Sequence, residues 1–330
     1  MNKSNEVVVK LENLTHCYKS RSKDKDKTFK ALDDISLEIM SGDIVGYVGL
    51  NGAGKTTTIK ILSGILHNTS GEVSVNGLSP FKKRLEFTSK IGVMFGGTNQ
   101  LMTSLTLEDN LELIRRIYRI EKKVFTERLE YFLALLKLTE KRKTAVRYFS
   151  FGQRIKANLM CALLHNPPLL LLDEPTIGVD IVSKDNINEF LKQVNPDFGT
   201  TIIITSHDIH NIEKLVNKVL LIDSGKLLFH GGVDAFKERY KTGNNVSIKF
   251  ENELSENILQ QCESILHEFN LDDVKTNENG FNFFIRSEVN PLDVVNKLNE
   301  LGKIKTMNIT EQTLEDIIKY AVSKERTNES

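Results

Sequence analysis

No tryptophan occurs among the 330 residues, cysteine appears three times and proline six times. Cys17, Cys161 and Cys262 stand far apart, with neither the pairing of a disulfide framework nor the spacing of a metal site. That scarcity suits a reducing compartment. An excess of one charge is lacking too. Forty-four Lys and Arg balance 44 Asp and Glu, so bulk charge gives no pull towards nucleic acid or an anionic membrane surface. Apolar runs such as Leu169 to Leu172 fall far short of the roughly 18 residues of a membrane helix. The opening MNKSNEVVVK has no apolar h-region, so no secretory signal is expected. The expectation is a cytoplasmic protein, which would serve a membrane only by docking on one.

What is present is ordinary globular material, 40% hydrophobic and 27% charged, enough for a sizeable core. Single cores rarely grow past roughly 250–300 residues, so two domains are expected, over 1–240 and 241–330. Val7 to Leu14 and Ile35 to Ile39 alternate as half-buried strands do. The charged stretch Lys19 to Lys27 between them reads as a solvated loop, its acids interrupting its bases. Asp43 to Val48 is a buried-type strand running into glycines and a helix, Thr56 to Leu66. Leu105 to Ile120 and Glu127 to Leu138 read as amphipathic helices, and a third carries Ile155, Leu159 and Leu163 before Asn166-Pro167-Pro168. Leu169 to Leu172 and Thr201 to Thr205 are continuous apolar runs, typical of parallel strands covered on both faces. Together these predict an α/β core with a helical insertion over about 98–165.

Past Tyr240 the pattern changes. Strand Val246–Phe250, helix Leu254–Phe269, strands Val274–Thr276 and Phe281–Ile285 around an Asn279-Gly280 turn, helix Leu292–Leu301 and strand Lys303–Ile309 follow. That is β-α-β-β-α-β, the ferredoxin-like order of a small α+β domain. A last helix, Leu314–Val322, is expected before a disordered tail, Lys324 to Ser330.

Between a strand and a helix stands GLNGAGKT, Gly49 to Thr56, which fits G-x-x-x-x-G-K-[ST]. Glycines let backbone N–H groups close around phosphate oxygens, and the following helix start adds a favourable dipole. Gly49, Asn51, Gly52, Ala53, Gly54, Lys55, Thr56 and Thr57 are the candidate phosphate-binding residues. Lys55 would reach the β- and γ-phosphates of a nucleotide and the Thr56 hydroxyl would ligate Mg²⁺. Asp173, at the end of the LLLLD strand, is the candidate second Mg²⁺ ligand. Glu174, one residue on, can orient and deprotonate an attacking water. His207, after TIIITS, ends another buried strand, and such ends face the ligand crevice of an open parallel sheet. It is a candidate to position the γ-phosphate or the water.

The ordered set GLNGAGKT, FSFGQ (Phe149 to Gln153), LLLLDEP, Ile177-Gly178-Val179-Asp180 and Ser206-His207 resembles the ATP-binding cassette of ABC transporters over roughly residues 7–240. QTLEDII, Gln312 to Ile318, is similar to the C-terminal extension of ABC-2-type ATPases, which usually serve exporters. The resemblance implies a P-loop NTPase cassette with an antiparallel β subdomain, using ATP and Mg²⁺. It implies two cassettes closing head-to-tail, each ATP held between one phosphate loop and the other's signature turn. The partners implied are a second copy or a related cassette and an integral-membrane permease, which the chain would join as a peripheral subunit on the cytoplasmic face. No nucleic acid is expected. In these terms Ser150, Gly152 and Gln153 act in trans, Tyr18 matches the aromatic on which adenine stacks, and Asp180 matches the aspartate that crosses the interface. Taken as residues alone, Tyr18 could equally be a strand-end tyrosine and Asp180 a helix N-cap.

Two departures stand out. Where the family carries a glutamine that contacts Mg²⁺ and senses the membrane subunit, counting back from LTLEDN gives Gly97. Either Gln100 serves from a longer loop or the contact is missing. In the signature, Phe149 replaces leucine and Phe151 replaces glycine. A right-handed backbone would accept Phe151 with its ring turned away. A positive φ would strain it by about 1–3 kcal/mol. Two other roles stay open at this level: a non-transport cassette acting on ribosomes or DNA, and a weakly hydrolysing regulatory cassette beside an active partner. The single cassette and the lack of a heptad run oppose the first, and Glu174 and His207 oppose the second.

Overall fold

The computed structural model describes residues 6–19, 28–206, 209–252, 254–269, 271–277 and 279–328. They form two compact units, Met1–Phe236 and Lys237–Ser330. The first unit runs β1 (Val7–Lys19), β2 (Thr28–Met40), β3 (Ile44–Val48), α1 (Lys55–Leu62), β4 (Ser70–Val75), α2 (Arg84–Thr88) and β5 (Ile91–Phe95). Three helices follow, α3 (Leu107–Ile117), α4 (Lys122–Leu135) and α5 (Phe151–Leu163). The chain then returns through β6 (Leu169–Asp173), α6 (Ile181–Phe198), β7 (Thr201–Thr205), α7 (Ile209–Ile212), β8 (Lys218–Asp223) and β9 (Lys226–Gly232), and α8 (Val233–Tyr240) runs on into the second unit.

Two sheets organise this unit. β2-β1-β4 is a three-stranded antiparallel sheet, and β5-β6-β7-β3-β8-β9 is a six-stranded sheet, parallel except for edge strand β9. Every residue of β3, β6 and β7 is buried, as expected of parallel strands covered on both faces. Leu14 and Ile35 from the first sheet, Tyr47 and Leu171 from the second and Ile59 from α1 share one core. Each fully buried aliphatic side chain contributes about 1.5–3 kcal/mol. Helix α3 starts on Thr106, whose hydroxyl accepts from Asp109 N. It carries Glu108 and Asp109 in its first turn and Arg115 and Arg116 in its last, signs that complement the helix dipole.

The second unit continues with β10 (Gly243–Phe250), α9 (Glu256–Glu268), β11 (Asp272–Asn277), β12 (Gly280–Arg286), α10 (Pro291–Leu301), β13 (Ile304–Glu311) and α11 (Leu314–Asn328). Its sheet has the order β11-β12-β10-β13, antiparallel throughout. Phe281, Phe283 and Ile285 alternate inward from β12 and pack with Cys262, Leu266, Val294 and Leu298. The QTLEDII stretch has a local structural task. Gln312 Oε1 accepts from Thr242 N (2.7 Å) and Gly243 N (3.2 Å), and the Thr313 hydroxyl accepts from Asp316 N at the start of α11.

Several boundaries differ from the sequence reading. Helix α1 stops at Leu62, not Leu66, because Ile65 N and Leu66 N both turn back onto the Lys60 carbonyl. Helix α3 spans Leu107–Ile117, within the expected 105–120, and α4 begins five residues before Glu127, bringing buried Phe125 into its apolar face. The tail is helical to Asn328, where disorder was expected from Lys324. The Tyr240 hydroxyl donates to Glu325 (3.2 Å) and ties that last turn down. Apart from Lys19, the expected solvated loop lies outside the described residues. Among them, no helix is long and apolar enough to cross a membrane, and the three cysteines are free.

Candidate functional site

Parallel pairing brings the carboxyl ends of β3, β6 and β7 to one edge, with Asp173 level with Thr205 and with Phe95 of β5. The GLNGAGKT loop, the candidate phosphate loop, follows β3 at that edge. Helix α1 begins on Gly54, whose φ of 114° and left-handed backbone leave no side chain over the first turn. A Cβ there would lie 2.7 Å from the Ala31 carbonyl oxygen, so only glycine fits. Lys55 folds back over the loop, donating from Nζ to the carbonyls of Gly49 (2.7 Å) and Leu50 (3.1 Å). Burial lowers the Lys55 ammonium below its ordinary range, and the carboxylates of Glu174 and Asp173 oppose that shift.

Asp173 joins two hydroxyls. Thr56 Oγ1 donates to its Oδ1 (3.2 Å), and Thr205 Oγ1 donates to the same atom (2.7 Å). A buried carboxylate beside a hydroxyl is a hard-oxygen donor set of the kind Mg²⁺ takes when phosphate oxygens complete its octahedron. Glu174 follows with a φ of 51°, a conformation costing a non-glycine residue about 1–3 kcal/mol. Its N–H is held by Thr205, through the hydroxyl (3.0 Å) and the carbonyl (3.2 Å). From β5 the approach is equally close, since a Cβ on Gly96 would lie 2.7 Å from the Glu174 carbonyl oxygen.

These groups border a cavity of about 540 Å³ lined by Asn51, Gly52, Ala53, Gly54, Lys55, Thr56, Thr57 and Glu174. Tyr18 and Phe29 form one wall. They sit directly opposite each other across the β1–β2 pairing, and the Tyr18 hydroxyl lies 3.3 Å from Thr57 Oγ1. Two aromatic faces beside a cationic phosphate loop suit a base and its polyphosphate.

The FSFGQR turn is a second, separate construction, and Ser150, Gly152 and Gln153 do not line that cavity. Ser150 caps α5 in a reciprocal box: its hydroxyl accepts from Gln153 N (3.2 Å), and Gln153 Oε1 accepts from Ser150 N (3.0 Å). Phe151 is the first helical residue and has no positive φ, so the strained alternative does not arise. Gly152 is buried against the start of α6, where a Cβ would lie 2.7 Å from Ser183 Oγ. Asp180 caps α6, its Oδ1 accepting from Ser183 N (2.9 Å). That hydrogen bond leads in holding the exposed Asp180 carboxyl below the usual range.

Gln100, the candidate Mg²⁺ contact from a longer loop, stands apart from this set in the structure. Its Nε2 donates to the Val93 carbonyl (2.9 Å), and its side chain lines a different cavity of about 240 Å³ with Arg84, Tyr118 and His165. The chain turns at Gly97 (φ 72°), and Gln100 N is tied to Asn158 Oδ1 (3.0 Å), which together carry the side chain elsewhere. His207 lies outside the described residues. Two contributors escaped the sequence reading. Phe29 gave no local signal, since its place depends on pairing with Tyr18. Thr205 did give one, as a hydroxyl at the end of a fully buried strand.

Comparison with known proteins gives a consistent result. Residues 32–177 match the family model described as ABC transporter. The ABC transporter ATP-binding protein NatA of Bacillus subtilis is 34% identical over 225 residues, covering 68% of this chain and 91% of NatA. The bacitracin transport ATP-binding protein BcrA of Bacillus licheniformis is 32% identical over 314 residues, 94% of this chain and 95% of BcrA. The methionine import ATP-binding protein MetN 2 of Enterococcus faecalis is 32% identical over 243 residues, covering 72% of this chain and 69% of MetN 2. Among solved structures, the dimeric bacterial ABC transporter cassette MJ0796 superposes with a TM-score of 0.59 at 27% identity, covering 68% of this chain and 98% of that one. The same cassette in a post-hydrolysis state with ADP and Pi gives 0.59 at 26% identity over the same shares.

Proposed function

The chain belongs to the ATP-binding subunits of ABC transporters, a family of ATPases, and on that premise we propose that it hydrolyses Mg-ATP to drive a separate integral-membrane permease in export. The observation that carries the hydrolytic reading is the cluster Lys55, Thr56, Asp173 and Glu174 at one sheet edge beside the cavity. In this reading Lys55 leaves the Gly49 and Leu50 carbonyls for the β- and γ-phosphates, and the phosphate-loop N–H groups close around them. Thr56 and Asp173 would hold Mg²⁺, which supplies charge neutralisation on those oxygens. Glu174 accepts the proton of the attacking water while its backbone is held by Thr205. His207 contributes a γ-phosphate contact. The base stacks on Tyr18 and Phe29.

Two copies, or this chain and a related cassette, close so that Ser150 and the Gly152 N–H of one reach the γ-phosphate held by the other. The Ser150 hydroxyl accepts from Gln153 N, which leaves its own hydrogen to donate. Export rests on the similarity of QTLEDII, Gln312 to Ile318, to the C-terminal extension of ABC-2-type ATPases, which usually serve exporters; the bacitracin transport protein BcrA matches over both units, whereas the import protein MetN 2 matches over 72% of the chain. The site of action is the cytoplasmic face of the membrane. A tagged full chain should be recovered from detergent-solubilised membranes with an integral-membrane protein. Recovery with ribosomes and no such protein would overturn the transport reading. Direction is tested in inverted vesicles holding the complex: ATP-dependent uptake into them means export, and release from preloaded ones means import.

A further inference from the structure

The sheet of the second unit, β11-β12-β10-β13, ends on β13, whose other side meets no strand among the described residues. Such an edge is a row of unpaired N–H and C=O groups, a template for another strand. Every residue from Lys305 to Glu311 is exposed, so nothing among the described residues covers it. Nor is the edge guarded. TMNIT, Thr306 to Thr310, holds neither proline nor charge, and it stays in regular register with β10. The opposite edge differs, since β11 slips in register between Asp272 and Lys275. Met307 and Ile309 pair with Ile248 and Val246 and so stand on the face of the sheet that carries the core. Neither joins that core. They stay 36% and 43% exposed, whereas Ile248 and Val246 are buried in it. A strand laid along β13 would cover both.

The occupant that fits is a second copy of the same strand. Laid antiparallel against itself about Asn308, β13 is complementary at each step: Lys305 faces Glu311, Thr306 faces Thr310, Met307 faces Ile309 and Asn308 faces Asn308. Met307 and Ile309 of the two copies then close into one apolar patch across the new pairing, and Thr–Thr and Lys–Glu are favoured cross-strand pairs. The pairing with β10 slips at Lys305, so its contact relies on the reach of a long side chain. Glu311 is open to that reach, its side chain 71% exposed beside Lys241 (2.9 Å). A two-fold axis through Asn308 gives each copy the same surface, the isologous arrangement of most dimers. We propose that β13 is a dimer interface, at which two copies of this chain join their second units into one continuous sheet without nucleotide. This goes beyond the proposed function, in which the cassettes close on ATP.

The test is made on the full chain without ATP. Sedimentation should show a dimer whose share rises with concentration. Asn308→Cys should cross-link to its own copy under mild oxidation, above the background of the parent's three free cysteines. Directly opposed residues have Cα atoms about 4.5–5.5 Å apart, within the reach of a disulfide. Thr310→Cys should not cross-link, because in this register it stands about 14 Å from its copy along the strands. Lys305→Glu sets acid against acid at both ends and should weaken the dimer roughly ten-fold, and adding Glu311→Lys should restore it. These positions are exposed, so melting temperatures should stay at the parent's. A chain that is monomeric at every concentration, a dimer that forms only with ATP, or equal cross-linking of Asn308→Cys and Thr310→Cys would each overturn the proposal. So would cross-linking of Asn308→Cys in membranes to a different polypeptide in place of its own copy. None of these results touches hydrolysis or the permease, so the proposed function stands or falls separately.

Discussion

Helix α1 begins on Gly54 with no side chain over its first turn, whereas α5 begins on Ser150 with its first turn closed twice. Both helices lie in the same unit, and both starts carry a Gly and a hydroxyl residue. The first leaves its N–H donors open and keeps Lys55 folded on its own loop carbonyls. In the proposed function phosphate oxygens would take those donors. The second satisfies itself with the Ser150–Gln153 box, so it is formed before any ligand reaches it. In the proposed function the open helix start would hold the nucleotide, and the closed one would be presented to a nucleotide held by the other cassette.

That contrast can be broken in graded steps. The largest effect is expected from Glu174→Gln, which alters neither helix start. Removing a general base lowers turnover roughly 100- to 10,000-fold, while ATP binding persists, as read by nucleotide-dependent thermal stabilisation. Retained hydrolysis would remove Glu174 as the base. Lys55→Met strikes the open start. Its stability without nucleotide should match the parent's, while the gain of about 2.7 kcal/mol that the parent shows at a hundred-fold excess of ATP over Kd disappears. Loss of stability without nucleotide would mean that Lys55 is structural. Phe29→Ala removes half of the aromatic wall, and a stacking contribution of about 1 kcal/mol or more predicts a KM for ATP raised roughly five-fold with kcat kept. An unchanged KM would place the base elsewhere. Ser150→Ala strikes the closed start and should behave oppositely to Lys55→Met. Losing the cap costs about 1 kcal/mol, a melting shift of about 2–4 °C for a unit of this size with or without ATP. A shift seen only with ATP would sink the comparison.

How much of this could be read from the chain follows from the same two starts. GLNGAGKT was legible because a phosphate loop is built by consecutive residues, and the Ser150 box is legible for the same reason, from a Ser and a Gln three apart. The β-α-β-β-α-β order of the second unit was readable from period and from the Asn279-Gly280 turn. Element ends were less so: α1 stops where Ile65 and Leu66 return to Lys60, and α11 runs on because Tyr240 holds Glu325. The place of Gln100 was not legible because nothing in GGTNQ announces that Val93 and Asn158 will take its donors.

The sequence by itself determined the family and the α/β plan of its cassette and marked the candidate phosphate-binding residues, since those rest on local backbone geometry, periodicity and the spacing of adjacent donors. Tertiary structure alone decided that Thr205 would hold both Asp173 and Glu174, that Phe29 would face Tyr18 and that Gly96 would back onto Glu174. Each of those is set by strand order, register or the approach of distant segments, and none is carried by neighbours along the chain.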